Sequence, residues 1–492
     1  MKAYRSLLFF WIILFILIGL CYFYPEEGIT ISNKTLKFPT LSQVLERNTV
    51  DRETAEDKLK RAEEELRLQI ERDSLARVYE AEKADSLAYI DTLKSYQKLV
   101  FASKARIECA FDDLSPLYAL FNSLDNCKNG NESIHILHYG DSQIEQDRIT
   151  SYIREKLQEK FGGWGAGLVP AIQPIPSISV GQATSDSIPR YIADGTLRQK
   201  LSHNRYGVLA QMAELNGSVT LSITARNWKK TYSRVKKFSK ISLLVGNTSD
   251  KFSATLSYDG KDTTQVIKTS CADMKKLTWQ LKSSINKFNL QLRGKGEIYG
   301  ISMESKNGVF VDNIPLRGSS GTFFTKISSH LLSESMNSLN VKLVIMEFGG
   351  NATPYLNTEK SIAAYKESMG KQIAYVKKLY PKTQVLLIGP ADMSTRIDGE
   401  LQTYPFLENT IEALKSVALE NDAMFWNMYE VMGGRNSMVK WVSHSPAWAS
   451  SDYIHFTEKG AGRIAEVFIQ SFMNCYDYYQ FLKRNKKWSG VE

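Results

Sequence analysis

Residues Ile134–Thr150 read IHILHYGDSQIEQDRIT. With Ser133, the first part is a short apolar run closed by Gly140, which predicts a buried strand over Ser133–Tyr139. From Asp147 onward, DRITSYIREKLQEKFGG carries apolar residues at helical spacing and stops at Gly162, which predicts an amphipathic helix. Strand, tight turn and helix make the repeating unit of an α/β fold. The unit sets Ser142 just past the strand, at the start of the helix, where open parallel sheets gather their sites. Two roles fit a serine there. One is a nucleophile beside the free N–H groups of a helix start. The other is a plain helix cap.

Toward the C-terminus the same texture continues. VKLVIMEFGGN and TQVLLIGPAD read as apolar strands, and AMFWNMYEVM as a further strand. TEKSIAAYKESMGKQIAYVKKLY, LENTIEALKSVALEN and the closing EKGAGRIAEVFIQSFMNCYDYYQFLK read as helices. Alternating strands and helices predict a parallel sheet covered on both faces. Between Pro176 and Ser305 short period-two runs such as GSVTLSITARNW and KFSATLSYDGKDTTQVI predict an antiparallel β-sandwich inserted into that domain. Residues 176–300 hold 20 Lys and Arg against 8 Asp and Glu, while the whole chain is +9, so the basic character belongs to the insert.

Toward the N-terminus, SPLYALFNSL predicts a helix with Ser115 as cap and Pro116 in its first turn. Residues 51–105 lack Pro and Gly and predict a long charged helix. Leu59, Ala62 and Leu66 begin an apolar seam whose register fails by Asp73, so the segment reads as a solvated stalk rather than a sustained coiled coil. LLFFWIILFILIGLCYFY, Leu7–Tyr24, is long enough to cross a bilayer. Lys2 and Arg5 precede it and Glu26 and Glu27 follow, an order that puts the amino terminus in the cytoplasm and the rest outside. The bulky end GLCYFYP argues against a cleaved signal, and Leu20 before Cys21 against a lipoprotein site. The expected layout is an anchor (1–28), a helical stalk (29–110), the α/β domain in two parts (111–175 and 306–492) and the basic insert (176–305).

Chemistry at Ser142 needs a base, because a serine hydroxyl is a poor nucleophile until its proton is taken. Of six histidines, His135 and His138 lie inside the first strand, His203 in the insert, His330 in a helical run and His444 in a loop. His455 stands in SSDYIHFTEKG, with Asp452 three residues earlier and the final helix just after. A D-x-x-H turn lets the carboxylate hold one imidazole nitrogen while the other faces the serine. An oxyanion also needs donors. EFGGNATP puts Asn351 directly after a strand, and VDNIPLRGSSG offers a glycine turn at Gly318 or Gly321. No metal-ligand spacing such as CxxC occurs and no nucleotide loop is present, FGGWGAG following a helix rather than opening one. Cys109 and Cys127 flank a short helical stretch, and either a disulfide or two buried thiols fits them.

GDS at 140–142, RGSSG at 317–321, GGN at 349–351 and DYIH at 452–455 occur in one order, each beside a predicted strand or turn. Together they resemble the SGNH (GDSL) hydrolase superfamily, over roughly residues 111–175 and 306–480. The resemblance implies a three-layer α/β/α, flavodoxin-like domain. It implies Ser142 as nucleophile, His455 as base and Asp452 as its orienting carboxylate, with Ser142 N–H, Gly318 and Asn351 as oxyanion donors and no cofactor. Ala352 departs from the pattern, since many members carry Asp there. The layout, with its inserted carbohydrate-binding-like sandwich, is similar to bacterial peptidoglycan O-acetylesterases. The expected role is therefore a membrane-anchored extracytoplasmic serine esterase that removes O-acetyl groups from an envelope glycan. A basic insert outside the cytoplasm argues for acidic glycans and against nucleic acid. Trp228 and Trp279 are candidates for stacking on sugars, or for the insert's core. Two other roles share these features: an O-acetyltransferase fed by a membrane O-acyltransferase, and a glycan-binding scaffold with an inactive site.

Overall fold

The computed structural model describes residues 2–31, 34–46, 55–196 and 201–486. It divides into two compact units, Met1–Ile90 and Asp91–Glu492. The first holds the helix Lys2–Phe23, whose Tyr4–Phe23 portion is long and apolar enough to cross a membrane. An antiparallel pair, Ile29–Ile31 with Lys34–Leu36, and a short helix, Leu41–Glu46, follow. The charged segment forms one helix, Ala55–Phe101. Residues 51–54 and the side chains of Leu59 and Ala62 lie outside the described residues. Leu66 of the expected seam is 60% exposed, so nothing among the described residues covers it.

The second unit is built on a six-stranded sheet. Gly308–Pro315, Ser133–Gly140, Val341–Glu347, Gln384–Ile388 and Met424–Trp426 run parallel in that spatial order, and Ile107–Glu108 closes the edge antiparallel. Among the parallel strands, the chain-first one lies second and the chain-second one at the edge, the flavodoxin-like arrangement. The strands are buried on both faces and therefore read as continuous apolar runs. Ile134 and Ile136 face a core closed by the helices Ser115–Lys128, Thr150–Phe161 and Glu458–Arg484. Leu137 and Tyr139 face a second core under Ser329–Leu339, Glu359–Leu379 and Leu407–Glu420. Three layers result, as expected.

Local departures from expectation have local causes. AMFWNMYEVM is half strand: after Trp426, Asn427 accepts the Glu430 N–H and caps a helix over Met428–Met432. Ser115 is not the cap of its helix; Asp113 takes both its N–H (2.9 Å) and its hydroxyl (2.7 Å). Cys109 and Cys127 are buried free thiols, each pushed up to about 12 mainly by that burial.

The insert is one antiparallel sheet folded on itself around its own core, which includes Leu221, Ile241, Phe252 and Leu290. The long strand Lys287–Glu304 joins its layers. Its first half pairs with Gln211–Ala225 and Phe252–Tyr258, and its second half with Phe238–Gly246 and Gly167–Val169. Trp279 lies in this core, 4% exposed, its indole N–H given to Thr263 O.

Insert and sheet are fastened by a buried charge cluster. His135 Nδ1 lies 2.7 Å from Asp312 and Nε2 3.3 Å from Glu304, which also binds Lys240 at 2.6 Å. Burial alone would lower His135, but Asp312 and Glu304 overcome it and hold the imidazole at about 9. The folded value exceeds the ordinary 6.5, so this contribution to stability is fully present below pH 6.5 and is lost as pH rises through about 9. Urea denaturation of the chain across that range should show falling stability, and His135→Gln should flatten the fall. Equal slopes in the two proteins would remove His135 as the cause.

Candidate active site

Ser142 sits where the parallel strands end. The segment Ser142–Asp147 is a 3₁₀ turn rather than the start of the α-helix, which begins at Thr150. Its cap is Asp141, whose Oδ1 accepts the Gln143 N–H at 2.9 Å. The capping duty therefore falls on the neighbour, and the Ser142 hydroxyl is left to side-chain chemistry. Ser142 Oγ lies 2.8 Å from His455 Nε2, and His455 Nδ1 lies 2.7 Å from Asp452 Oδ2. Asp452 Oδ1 accepts the Ile454 and His455 N–H groups, both at 3.0 Å. Its partial burial pushes the carboxyl up, but those N–H groups and the imidazole outweigh this and hold it below the usual carboxylate range.

Ser142 and His455 are 313 residues apart, and two side chains lock their loops together. Gln143 donates to Ile454 O (2.6 Å) and accepts from Phe456 N–H (3.2 Å). Arg148 donates to Ser142 O (2.7 Å) and to Phe456 O (2.8 Å). Neither was a sequence candidate. At the C-terminal side of the histidine loop, Gly460 lets the final helix start against the loop, since a Cβ there would collide with the Trp448 carbonyl.

The cleft over these residues has a volume of about 620 Å³, and Gly318 and Asn351 line it together with Ser142 and His455, whereas Gly321 does not. Gly318 has φ +76°, and a Cβ would stand 2.5 Å from Thr196 Cγ2, so the turn requires glycine. Asn351 Nδ2 donates to Asp141 Oδ2 at 2.8 Å and to Ser319 O at 3.2 Å. Burial, first of all, pushes Asp141 up to about 7. The Glu347 charge adds to that, while the Gln143 N–H, His455 and Asn351 oppose it.

Beneath Asp141 runs a second polar chain. The Thr150 hydroxyl donates to Asn313 Oδ1 (2.8 Å), so it must accept from His138 Nδ1 (2.9 Å). His138 Nε2 then meets Glu347 Oε2 at 3.0 Å, and a proton must lie between them. Glu347 Oε1 is buried and has no partner among the described residues.

No group of His, Cys, Asp and Glu among the described residues has the makings of a metal site. Of the two tryptophans singled out in the insert, Trp228 is 43% exposed and carries the Arg226 guanidinium 4.0 Å from its ring centre. On the same loop Lys230 pairs with Glu458, the first residue of the final helix, at 3.1 Å.

No family model matches the sequence, and no curated protein does. Solved structures do. The chain is similar to a peptidoglycan O-acetylesterase, with TM-score 0.60 and 19% identity over 74% of this chain and 97% of that one. It is also similar to a family two carbohydrate esterase from Cellvibrio japonicus, with TM-score 0.24 and 10% identity over 61% and 99% of the chains. A carbohydrate acetylesterase from Sinorhizobium meliloti follows, with TM-score 0.25 and 17% identity over 34% and 78%. Five parallel strands in flavodoxin-like order with an inserted antiparallel sheet give the chain a fold similar to that of the peptidoglycan O-acetylesterase.

Proposed function

We propose that the chain is a serine esterase that removes O-acetyl groups from a cell-envelope glycan, peptidoglycan or a related polysaccharide. The observation that carries the reading is the chain of hydrogen bonds from Ser142 Oγ through His455 to Asp452 at the floor of an open cleft. Ser142 Oγ attacks the acetyl carbonyl as His455 Nε2 takes its proton. The oxyanion is met by backbone N–H groups at Ser142 and Gly318 and by Asn351, whose longer bond, to Ser319 O, is the one to be given up. His455 returns the proton to the sugar oxygen, which leaves as the alcohol. Water, deprotonated by the same imidazole, then frees acetate from Ser142.

Hydrolysis is favoured over transfer to a second sugar because the site is open to water: the His455 and Asp452 side chains are 36% and 47% exposed. A glycan substrate is supported by the likeness to a peptidoglycan O-acetylesterase and by the basic insert, which brings Trp228 and its neighbouring cations to the loop that meets the final helix. In this reading Lys2–Phe23 anchors the chain in the cytoplasmic membrane, with Lys2 and Arg5 inside and the catalytic unit in the periplasm or outside the cell.

The test is acetate release by the full chain in detergent, from a short acyl ester and from O-acetylated glycan, with and without a chito-oligosaccharide acceptor. Acetate release that the acceptor does not suppress is the expected result. Acetylated acceptor accumulating at the expense of acetate would replace the esterase with a transferase. Glycan binding without turnover would leave a scaffold.

A further inference from the structure

The cleft of about 620 Å³ falls in the range, roughly 300–1,000 Å³, of sites that enclose a whole small molecule, and an acetyl group fills little of it. Most of the space is therefore shaped for whatever the acetyl is attached to. Sheet order arranges its walls. The strand that ends at Ser142 lies between Gly308–Pro315 and Val341–Glu347. The first neighbour leads to Arg317 and the second to Asn351 and Tyr355, and all three residues line the cleft. Arg317 and Tyr355 thus belong to opposite sides of the serine. The Arg317 side is polar: its side chain is 49% exposed, and its Nε donates to Glu145 Oε1 at 2.7 Å. The other side offers an aromatic ring.

Tyr355 is 79% exposed. Its ring and hydroxyl have no hydrogen-bond or ring partner among the described residues. Leu99, Phe111, Trp228, Val266 and Phe406 are also exposed in the unit Asp91–Glu492, but none of them lines the cleft. The backbone that carries Tyr355 is well anchored. Thr353 is buried, and its N–H and hydroxyl both go to Gly349 O at 3.0 Å. Leu356 is buried in the core beneath. Pro354 stiffens the chain between them, and the Tyr355 N–H is given to Ala352 O at 2.9 Å. The turn buries the residues on both sides of Tyr355 and leaves its ring in water. An aromatic face held this way loses little freedom when a flat ligand covers it. A pyranose ring is such a ligand. Its faces carry C–H groups that suit the electron-rich face of an aromatic ring, and its hydroxyls lie at the edge. A sugar covering Tyr355 keeps that edge for the polar side of the cleft.

We propose that Tyr355 is the platform on which a sugar ring of the acetylated glycan stacks, and that it sets the preference of the site for sugar esters over acetyl esters of small alcohols. Naming the ligand as the acetylated sugar rests on the esterase reading. Tyr355 stands four residues beyond Asn351 on the same anchored turn, so a ring seated on it is placed against the donor that is to meet the oxyanion.

The experiment measures acetate release by the full chain, in a detergent without a sugar headgroup, from O-acetylated chito-oligosaccharide and from ethyl acetate. Tyr355→Ala should raise KM for the oligosaccharide by about tenfold and change its kcat by less than about twofold, the split expected of binding that substrate and transition state share. The ratio of kcat/KM for the oligosaccharide to that for ethyl acetate should fall by about fivefold or more. Tyr355→Phe and Tyr355→Trp, which keep a ring, should hold KM within about twofold of the parent. Equal losses on the two esters would overturn the platform, and so would a Tyr355→Phe protein as impaired as Tyr355→Ala, which would put the effect on the hydroxyl. Saturation-transfer NMR with chitotetraose on the Ser142→Ala chain, with and without Tyr355→Ala, reads sugar binding without turnover. Transfer that disappears with the ring supports the platform even where no ester is hydrolysed, and the esterase reading then fails alone. Turnover of both esters, with KM and transfer unchanged by Tyr355→Ala, removes the platform and leaves the esterase.

Discussion

Ser142→Ala should lower kcat on an acetyl ester by a factor on the order of 10⁴ to 10⁶, His455→Ala should do the same, and the double variant should be no slower than either. The equality matters more than the size. Ser142 Oγ and His455 Nε2 are one hydrogen-bonded unit, 2.8 Å apart, and a nucleophile without its base is worth as little as a base without its nucleophile. Neither substitution should unfold the protein, because Arg148 and Gln143 hold the two loops through backbone carbonyls and an N–H that remain in both variants. A Ser142→Ala protein that kept more than a tenth of its activity would place the nucleophile elsewhere. Losses that multiplied in the double variant would mean that the two residues act in separate steps.

Asp452→Asn should cost about 10⁴ in kcat while leaving the melting temperature nearly unchanged. The substitution is nearly isosteric, and the amide oxygen can still accept the Ile454 and His455 N–H groups that shape the turn. What changes is the other atom. The carboxylate oxygen now 2.7 Å from His455 Nδ1 accepts its proton and fixes the tautomer with Nε2 free to receive the Ser142 hydroxyl proton. An amide N–H in that place requires the opposite tautomer, in which Nε2 carries a hydrogen and cannot act as base. Stability is little affected because the Asp452 side chain is 47% exposed. Kinetics and a thermal melt on the same preparation check both halves. A large loss of stability together with activity would make Asp452 a strut of its loop rather than a partner of the imidazole.

Three strands of the parallel sheet were readable because each is buried on both sides and reads as a mainly apolar run: IHILHY, LVIM and VLLI; the edge strand Gly308–Pro315 was not, because Asp312 and Asn313 break its apolar run. Ser142, His455, Asp452, Asn351 and Gly318 were readable for another reason. Each lies within a few residues of a strand end or a helix start, so a short motif records its place. The Met428–Met432 helix escaped because a five-residue helix has too few turns to develop a period, and its cap, Asn427, follows directly on a strand. Gln143 and Arg148 escaped for a physical reason too. Each reaches a loop more than 300 residues away, and such a contact leaves no local pattern. Trp228 and Trp279 could not be told apart by sequence. One is surface and the other core because of where the insert's strands fold over, which depends on long-range pairing.

The position of the insert governs the order in which this protein can be assembled during synthesis. The strand that leads to Ser142 is hydrogen-bonded on one side to Gly308–Pro315 and on the other to Val341–Glu347. His135 and its partner Asp312 are 177 residues apart. At ribosomal rates that gap is on the order of 10 to 40 s, during which a strand that ends up buried on both faces has been made and has no neighbour. The insert, whose sheet is complete once Glu304 has emerged, can fold in that interval and presents Glu304 to meet His135. The imidazole that would activate the serine comes later still, in the last turn before the final helix. A nascent chain therefore carries Ser142 for most of its synthesis without His455, and the two side chains meet only as the final helix closes the domain.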